Sequence, residues 1–495
     1  MLLLAALSAC SDAPVVPVDA GPGSGWRHPL ADALRAGLPG FEVREGRVQP
    51  FPGCGSVIDD VGHCLGNNSA TPYMSIFFEE DGYDTPFGAL HLDADEAVVF
   101  VGLTPPESRY FSLQAAVHER LYDDGWRTPV GSIARSLNLL RIQHAGSEPF
   151  GQRTTLVATG RPSTADALAG RIRPFLASAG EPDVLDVIEL PMLTGPSYDA
   201  LVEASGADGH VLLRTGYSDD ADRFSFTWRI AGADPDDAWF DPERIPAAVF
   251  KVRPTVPQPL TEWEWPELPP PRDPSRAPAP TVAASLLLVA QAVVAEAEAD
   301  GRVAARARFD PADFEGFRCV ERGLSCGNSD DAWYSASPGV LLPSHVPGGG
   351  ATVIGVVHSA LPELTGEGPR LAYDNLDILD SSIRASFGGW FDTDLLGSAR
   401  ERFPNGVPGV PDAHLDAFFA LEVARTCDRP ACIELAVEAL PEAHGFNFLE
   451  RAYLDLDSGT GPHPAAVLPS HIVAYGPAVE WRPALGRLDI LPTAP

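Results

Sequence analysis

The chain has 495 residues, 45% of them hydrophobic, and carries a formal net charge of −33 at pH 7 from 35 basic and 68 acidic side chains. Such an acidic balance excludes nucleic acid and anionic lipid headgroups as partners, because both are held by a basic footprint; it is the composition of a solvated, folded body. Lys251 is the only lysine, and the remaining positive charge is arginine, which reads as the coding bias of a GC-rich organism.

The first ten residues, Met1-Leu-Leu-Leu-Ala-Ala-Leu7-Ser8-Ala9-Cys10, form a short apolar run that no Lys or Arg precedes and that ends in small residues and a cysteine. Leu7, Ser8, Ala9 and Cys10 resemble the lipobox of bacterial lipoproteins. That resemblance implies cleavage before Cys10 and acylation of this cysteine with several chains. Ser11 stands where an Asp would retain a related lipoprotein in the inner membrane, so the implied address is the bacterial cell envelope, at the outer membrane, on its periplasmic or surface face. Residues 2–9 are too few to span a bilayer, which takes about 20 apolar residues. The membrane is therefore reached through lipid on Cys10, each buried methylene contributing about 0.8 kcal/mol. Residues 11–27, rich in Pro, Gly, Ser and Asp, read as a disordered tether.

Behind the tether, Pro29–Ala36 reads as a helix and Cys54 to Cys64 as a loop leading to Gly66-Asn67-Asn68-Ser69 and Tyr73. The β-branched run Glu96–Gly102 predicts a buried strand, followed by Tyr110-Phe-Ser112-Leu113 and by Gly131-Ser132. A helix starts at Pro162-Ser163-Thr-Ala-Asp166, with Leu168, Ile172 and Leu176 on its apolar face and Gly180 beyond its end. His210–Thr215, Arg223–Ile230 and Ala248–Arg253 read as strands. Residues 254–280 are a Pro-rich linker, extended and semi-rigid, in which Trp263 and Trp265 provide staples onto a domain.

After the linker the same landmarks recur in the same order. Ala283–Glu296 is a helix too interrupted by Gln291 and Glu296 to be a membrane span, hence a buried one. Cys319 to Cys326 lead into Gly327-Asn328-Ser329-Asp330-Asp331 and Tyr334, with Gly, Asn and Tyr at the spacing of the first loop. Ala351–His358 predicts a buried strand, Tyr373-Asp-Asn375-Leu376 echoes Tyr110–Leu113, and Gly397-Ser398 parallels Gly131-Ser132. Asp412 through Val423 reads as a helical stripe and Ile433–Leu440 as a second helix, before strands at Glu450–Leu456 and His471–Tyr475. The expected architecture is α+β: an internal duplication giving two similar domains, 28–253 and 281–495, each an antiparallel sheet with helices packed on one side.

Setting Cys10 aside, Cys54, Cys64, Cys319, Cys326, Cys427 and Cys432 form three sequence-local pairs, expected as disulfides in an exported protein. Zinc is the weaker reading, with His345 or His358 joining Cys319 and Cys326, since no Cys-x2-Cys or His-x3-His spacing occurs. No cofactor is expected: the phosphate loop, the strand-borne Gly-x-Gly-x-x-Gly and the His-Glu-x-x-His helix are all missing from the sequence. Candidate ligand-binding residues are Asn67, Asn68, Asn328, Asp330 and Asp331, short polar side chains directly after the paired cysteine loops, where two related domains would form a cleft. The same residues serve equally as turn caps. His358, at a strand end, is a candidate general base or a satisfied core histidine. Asp455-Leu-Asp457-Ser-Gly459 has the acidic spacing of a calcium loop without its remaining ligands and reads as a turn. Two functions fit. One is a lipid-anchored envelope module, not an enzyme, that binds a protein, glycan or small ligand or supports an envelope assembly. The other is an exported hydrolase with an acidic, metal-assisted site between the domains.

Overall fold

The structure, a computed structural model, describes residues 27–51, 68, 71–79, 88–121, 127–128, 131–133, 136–190, 192–193, 213–258, 277–311, 329, 331–342, 348–366, 368–381, 385–427, 432–435, 440–441, 444–476 and 481–482. Cys10, Cys54, Cys64, Asn67, Trp263, Trp265, Cys319, Cys326, Asn328 and Asp330 lie outside the described residues.

In the first half, helix α1 (Pro29–Ala36) begins with Pro29 in its first turn and the His28 ring accepting from Leu30 N. Strands β1 (Phe41–Glu45), β2 (Arg47–Pro50), β3 (Tyr73–Phe77), β4 (Ala97–Leu103), β5 (Tyr110–Leu121) and β6 (Arg153–Thr159) follow, then helix α2 (Pro162–Ala179), β7 (Leu185–Glu189), β8 (Arg223–Ala231) and β9 (Ala247–Pro254). One five-stranded sheet has the order β1-β9-β4-β6-β7, antiparallel except for the parallel pair β6/β7. A second sheet runs β2-β3-β8-β5, and three two-residue strands, Arg127–Thr128, Gly131–Ser132 and Leu137–Asn138, add to β5.

Alternation along β4 explains the layering. Val98 and Phe100 meet Ile76 of β3 and Phe224, Phe226 and Trp228 of β8 in the core between the sheets. Ala97, Val99 and Val101 point the other way and pack with Leu30 and Leu34 of α1 and Leu168, Ile172 and Leu176 of α2. A strand buried on both faces reads as a continuous apolar run, which is why Glu96–Gly102 stands out in the sequence.

The second half repeats this plan. Helix α3 (Pro280–Ala299) is followed by β10 (Val303–Arg308), β11 (Asp310–Pro311), β12 (Ala332–Ala336), β13 (Gly350–Val356), α4 (Leu361–Thr365), β14 (Leu371–Asp380) and β15 (Ala385–Phe391). Short helices α5 (Asp392–Leu395), α6 (Ser398–Arg402) and α7 (Asp412–Ala417) then lead to β16 (Phe418–Ala424), β17 (Cys432–Glu434), β18 (Phe446–Asp455) and β19 (His471–Gly476). Its five-stranded sheet is β10-β19-β13-β16-β17, again with one parallel pair, β16/β17, at the end. Its partner sheet runs β11-β12-β18-β14-β15. The four large sheets thus form two similar pairs. Helix α3 is long and apolar enough to cross a membrane, yet Val282, Leu286, Val289 and Val293 are buried against Ile354, Val356 and Val473 of the sheet beneath.

Several sequence expectations change. Each half holds a pair of sheets where one was expected, and the helices cover only the outer face of the five-stranded member. The stripe expected to be helical through Val423 stops at Ala417; Phe418–Ala424 is strand β16, buried on both faces. Ile433 and Glu434, the first residues of the second expected helix, lie in strand β17 (Cys432–Glu434). Gly131-Ser132 lies on a strand while Gly397-Ser398 opens α6, so those two landmarks are not structural counterparts. Cys427 and Cys432 are disulfide-bonded, with Cα atoms 5.5 Å apart, closing the connection between the parallel strands β16 and β17.

Candidate functional site

The expected cleft between the halves is a packed seam. Tyr110 and Ala231, at one end of β5 and β8, pack with Tyr334, Tyr373, Leu449 and Tyr453 on β12, β14 and β18. The Tyr373 and Tyr453 rings stack at 4.5 Å, and Tyr110 lies 5.7 and 5.2 Å from them. Burial pushes all three hydroxyls well above their ordinary pKa. Of the candidate ligand-binding residues, Asn68 and Asp331 are described, and both are buried in this seam. Asp331 accepts from Tyr110 OH at 2.9 Å and from Asn138 Nδ2 at 2.8 Å; Asn68 Oδ1 accepts from Asn375 Nδ2 at 3.2 Å. Each therefore binds the opposite half. Arg109 reaches across to Asp392 and to the carbonyl of Ala372, and Asn138 Nδ2 also donates to the carbonyl of Gly459.

The local geometry around these residues is doubled. Tyr73 OH accepts from Asn68 N at 3.2 Å and Tyr334 OH from Ser329 N at 3.0 Å. Arg229 stands opposite Tyr73 and Arg451 opposite Tyr334 in register, each guanidinium near its tyrosine ring, at 5.8 and 6.0 Å. In each half a backbone amide five residues before the tyrosine thus donates to that tyrosine's hydroxyl.

His358 is fully buried, two residues beyond the end of β13. Its Nε2 accepts from Leu468 N at 2.9 Å and its Nδ1 lies 3.7 Å from Asp374 Oδ1. Burial works against a charged ring here, but Asp374 and Glu450 outweigh it and raise the pKa. Glu450 is itself held by Ser335 and Ser470 at 2.8 and 2.9 Å, with its pKa raised by burial. This is a core polar network. Asp455–Gly459 forms a turn, in which Asp455 Oδ1 accepts from Asp457 N and the Asp455 carbonyl from Gly459 N. Among the described residues no group of three or more His, Cys, Asp or Glu side chains could hold a metal ion. The pentapeptide Gly323-Leu-Ser325-Cys326-Gly327 has the Gly-x-Ser-x-Gly spacing of a nucleophile elbow, but lies outside the described residues.

A pocket does open elsewhere, at one end of the sandwich in the first half. It is a cavity of about 580 Å³ lined by Glu42, Val43, Arg44, His91, Glu96, Tyr217, Asp219, Arg223, Lys251 and Arg253, within the range of about 300–1,000 Å³ typical of small-molecule sites. The register of the five-stranded sheet builds its floor. Along β9, Ala247 and Val249 face the core between the sheets, so two and four residues on Lys251 and Arg253 point the same way, past the apolar packing. Opposite them on β1 stand Arg44 and Glu42, and on β4 Val98 faces Lys251.

The only lysine of the chain is 4% exposed and lines this pocket. Its Nζ donates to the carbonyl of His91 and to Tyr217 OH, both at 3.0 Å. Tyr217 OH lies 2.8 and 2.7 Å from the two oxygens of Glu96, which is 5% exposed. One hydroxyl thus links a buried ammonium to a buried carboxylate. The Tyr217 ring covers Nζ at 5.1 Å and faces His91 at 5.8 Å, while remaining 50% exposed. At the rim, Arg253 pairs with Asp93; burial opposes the charge of Arg253, and Asp93, Glu96 and Tyr217 together raise its pKa. In the second half, on the central strand β19, Ala474 stands opposite Ala351 and Ala305 and is packed in apolar core. The pocket belongs to one half of a doubled plan.

Sequence reasoning missed this site. Lys251, Glu96 and Tyr217 belong to no motif, and their one signal was the solitary lysine in an arginine-using chain.

No family model matches the chain, and no curated protein does. Among solved structures, an uncharacterized protein from Burkholderia cenocepacia is similar at 12% identity and a TM-score of 0.36, over 84% of this chain and 78% of that one. The VPA0106 protein from Vibrio parahaemolyticus is similar at 11% identity and a TM-score of 0.31, over 82% of this chain and 90% of that one.

Proposed function

We propose that this protein is a lipid-anchored cell-envelope binding protein, held at the outer membrane through Cys10, whose ligand site is the Lys251 pocket in its first half. The observation that carries the binding reading is the buried pair Lys251 and Glu96, joined through the half-exposed Tyr217, in a cavity of about 580 Å³. Burying an ammonium and a carboxylate at an open sandwich end costs free energy that apolar packing, as at Ala474, avoids. A site that recognises a polar ligand accounts for that cost. Export is supported by Leu7-Ser8-Ala9-Cys10 and by the Cys427–Cys432 disulfide, a bond that persists in oxidising compartments. We also read the two halves as copies of one ancestral domain, on the strength of their matching strand orders and doubled Asn–Tyr and Ser–Tyr turns.

Both parts are testable in cells. Wild type fractionates with membranes and Cys10→Ala is released to the soluble fraction; equal fractionation contradicts the anchor. Native mass spectrometry of protein incubated with a low-molecular-weight envelope extract detects a bound small molecule on wild type and none on Lys251→Met. Identical spectra for the two proteins contradict the pocket.

A further inference from the structure

We infer that the Lys251 pocket takes a small zwitterion of the α-amino acid type, its carboxylate on Lys251 and its ammonium on Glu96. The inference rests on the binding reading above and narrows it to a ligand class.

The floor of the pocket presents one cation and one anion side by side, both almost fully buried and both bonded to one hydroxyl, with the His91 carbonyl also on Lys251 and the Asp93 amide also on Glu96. Tyr217 OH accepts from Lys251 and donates to Glu96, so it occupies the place of a ligand that offers an acceptor and a donor on adjacent atoms. Its ring is half exposed, and it follows Gly216, whose φ of 115° lies where L side chains rarely go, on a turn of exposed residues. Displacing this ring uncovers Lys251 and Glu96 together. Further out, Glu42 faces Arg253 across β1 and β9 while Arg44 faces Lys251, so the wall of the pocket carries both signs of charge.

The adjacent ammonium of Lys251 and carboxylate of Glu96 select among ligand classes. A simple anion that displaces the hydroxyl pairs with Lys251 but leaves the Glu96 carboxylate only the Asp93 amide, and a simple cation leaves the Lys251 ammonium only the His91 carbonyl; a buried charge without a charged partner is unfavourable. A neutral polyol satisfies both groups, though bonds between two charged partners are roughly twice as strong as neutral ones. A zwitterion pairs both charges at once and needs no net charge from the pocket.

The test is calorimetric titration of the detergent-solubilised full chain with the L-amino acids found in proteins. Amine-free and carboxylate-free analogues of any that bind are titrated alongside inorganic phosphate, acetate and glucose. At least one amino acid is expected to bind, and removing either of its charges should weaken binding by about tenfold or more, the scale of a hydrogen bond to a charged group. Lys251→Met and Glu96→Gln should each weaken it to a similar degree. Tyr217→Phe, which removes the internal competitor, should tighten it by up to about tenfold. Should the buried variants fail to fold, Arg44→Ala at an exposed strand position keeps the test alive, with severalfold weaker binding expected. Lys251-dependent binding of phosphate, acetate or glucose with no amino acid bound overturns the zwitterion while leaving a ligand pocket in place. Silence from every compound overturns the zwitterion too; the pocket itself then stands or falls on the envelope extract.

Discussion

Asp186, on β7, is buried, and its Oδ2 accepts from Gln143 N at 2.6 Å. Burial raises its pKa to about 6 from 3.8, against the opposing effect of the Gln143 bond. A carboxyl raised in the fold contributes stability that is complete below the unfolded value and is lost as pH rises through the folded one. Asp186→Asn should therefore match wild type in urea at pH 3.5 and exceed it at pH 8 by up to about 3 kcal/mol, from 1.36 kcal/mol per pKa unit. A difference independent of pH would contradict this account. At the same scale, Lys251 was visible in the sequence as an anomaly but read as coding bias. Its partners, Glu96 and Tyr217, lie on separate strand ends and turns. Only the pairing of β9 with β4 and the turn before β8 bring them together, and neither contact has a sequence signature.

At the level of elements, the sequence was most legible where a strand or helix has one unambiguous period. Helix α2 starts at Pro162 and stops before Gly180, whose φ is 70°, and Pro174 inside it does not break it; its N-cap is Arg161, without a side-chain cap bond, so Ser163 stands inside the helix and does not cap it. Strand β16 was misread because Phe418, Phe419, Leu421 and Val423 are buried on both faces between a helix layer and a sheet, and a fully apolar run has no period to distinguish strand from helix. The Cys427–Cys432 pairing was legible from separation alone, and it clamps β16 to its parallel neighbour. For so short a loop the chain-entropy model gives about 2 kcal/mol. Cys427→Ser in a Cys432→Ser background should lower stability by about that amount in denaturant titration, and a loss near zero would mean that β17 is held by its packing alone.

Across the whole molecule, the repeated landmarks pointed to two similar halves, and the four large sheets bear out that coarser statement. The sequence did not disclose that Asn68 and Asp331 lie in a packed seam between the halves. Asn68 and Asp331 looked like ligand residues because the polar chemistry that holds a ligand also holds an opposite domain. With Tyr110, Asn138, Asn375 and the Arg109–Asp392 pair crossing it, the seam should make the halves unfold as one cooperative unit. Asp331→Ala leaves the Tyr110 hydroxyl and the Asn138 amide buried without that partner, at a cost of about 2–4 kcal/mol from the two groups together. Calorimetry should show one transition for wild type and a lower or split transition for the variant. Two transitions in wild type would mean that the halves fold independently.

The central claim, that the end of the first sandwich is where a ligand binds, is tested most directly on the single lysine itself. Apart from the N-terminus, Lys251 is the only amine the chain offers, so an amine-reactive reagent followed by peptide mass mapping reads its accessibility alone. Labelling of Lys251 should be slow in the free protein, faster in Tyr217→Ala, and slowed further in both by the low-molecular-weight envelope extract. A labelling rate that the extract leaves unchanged, in wild type and in the uncovered variant, would contradict the account.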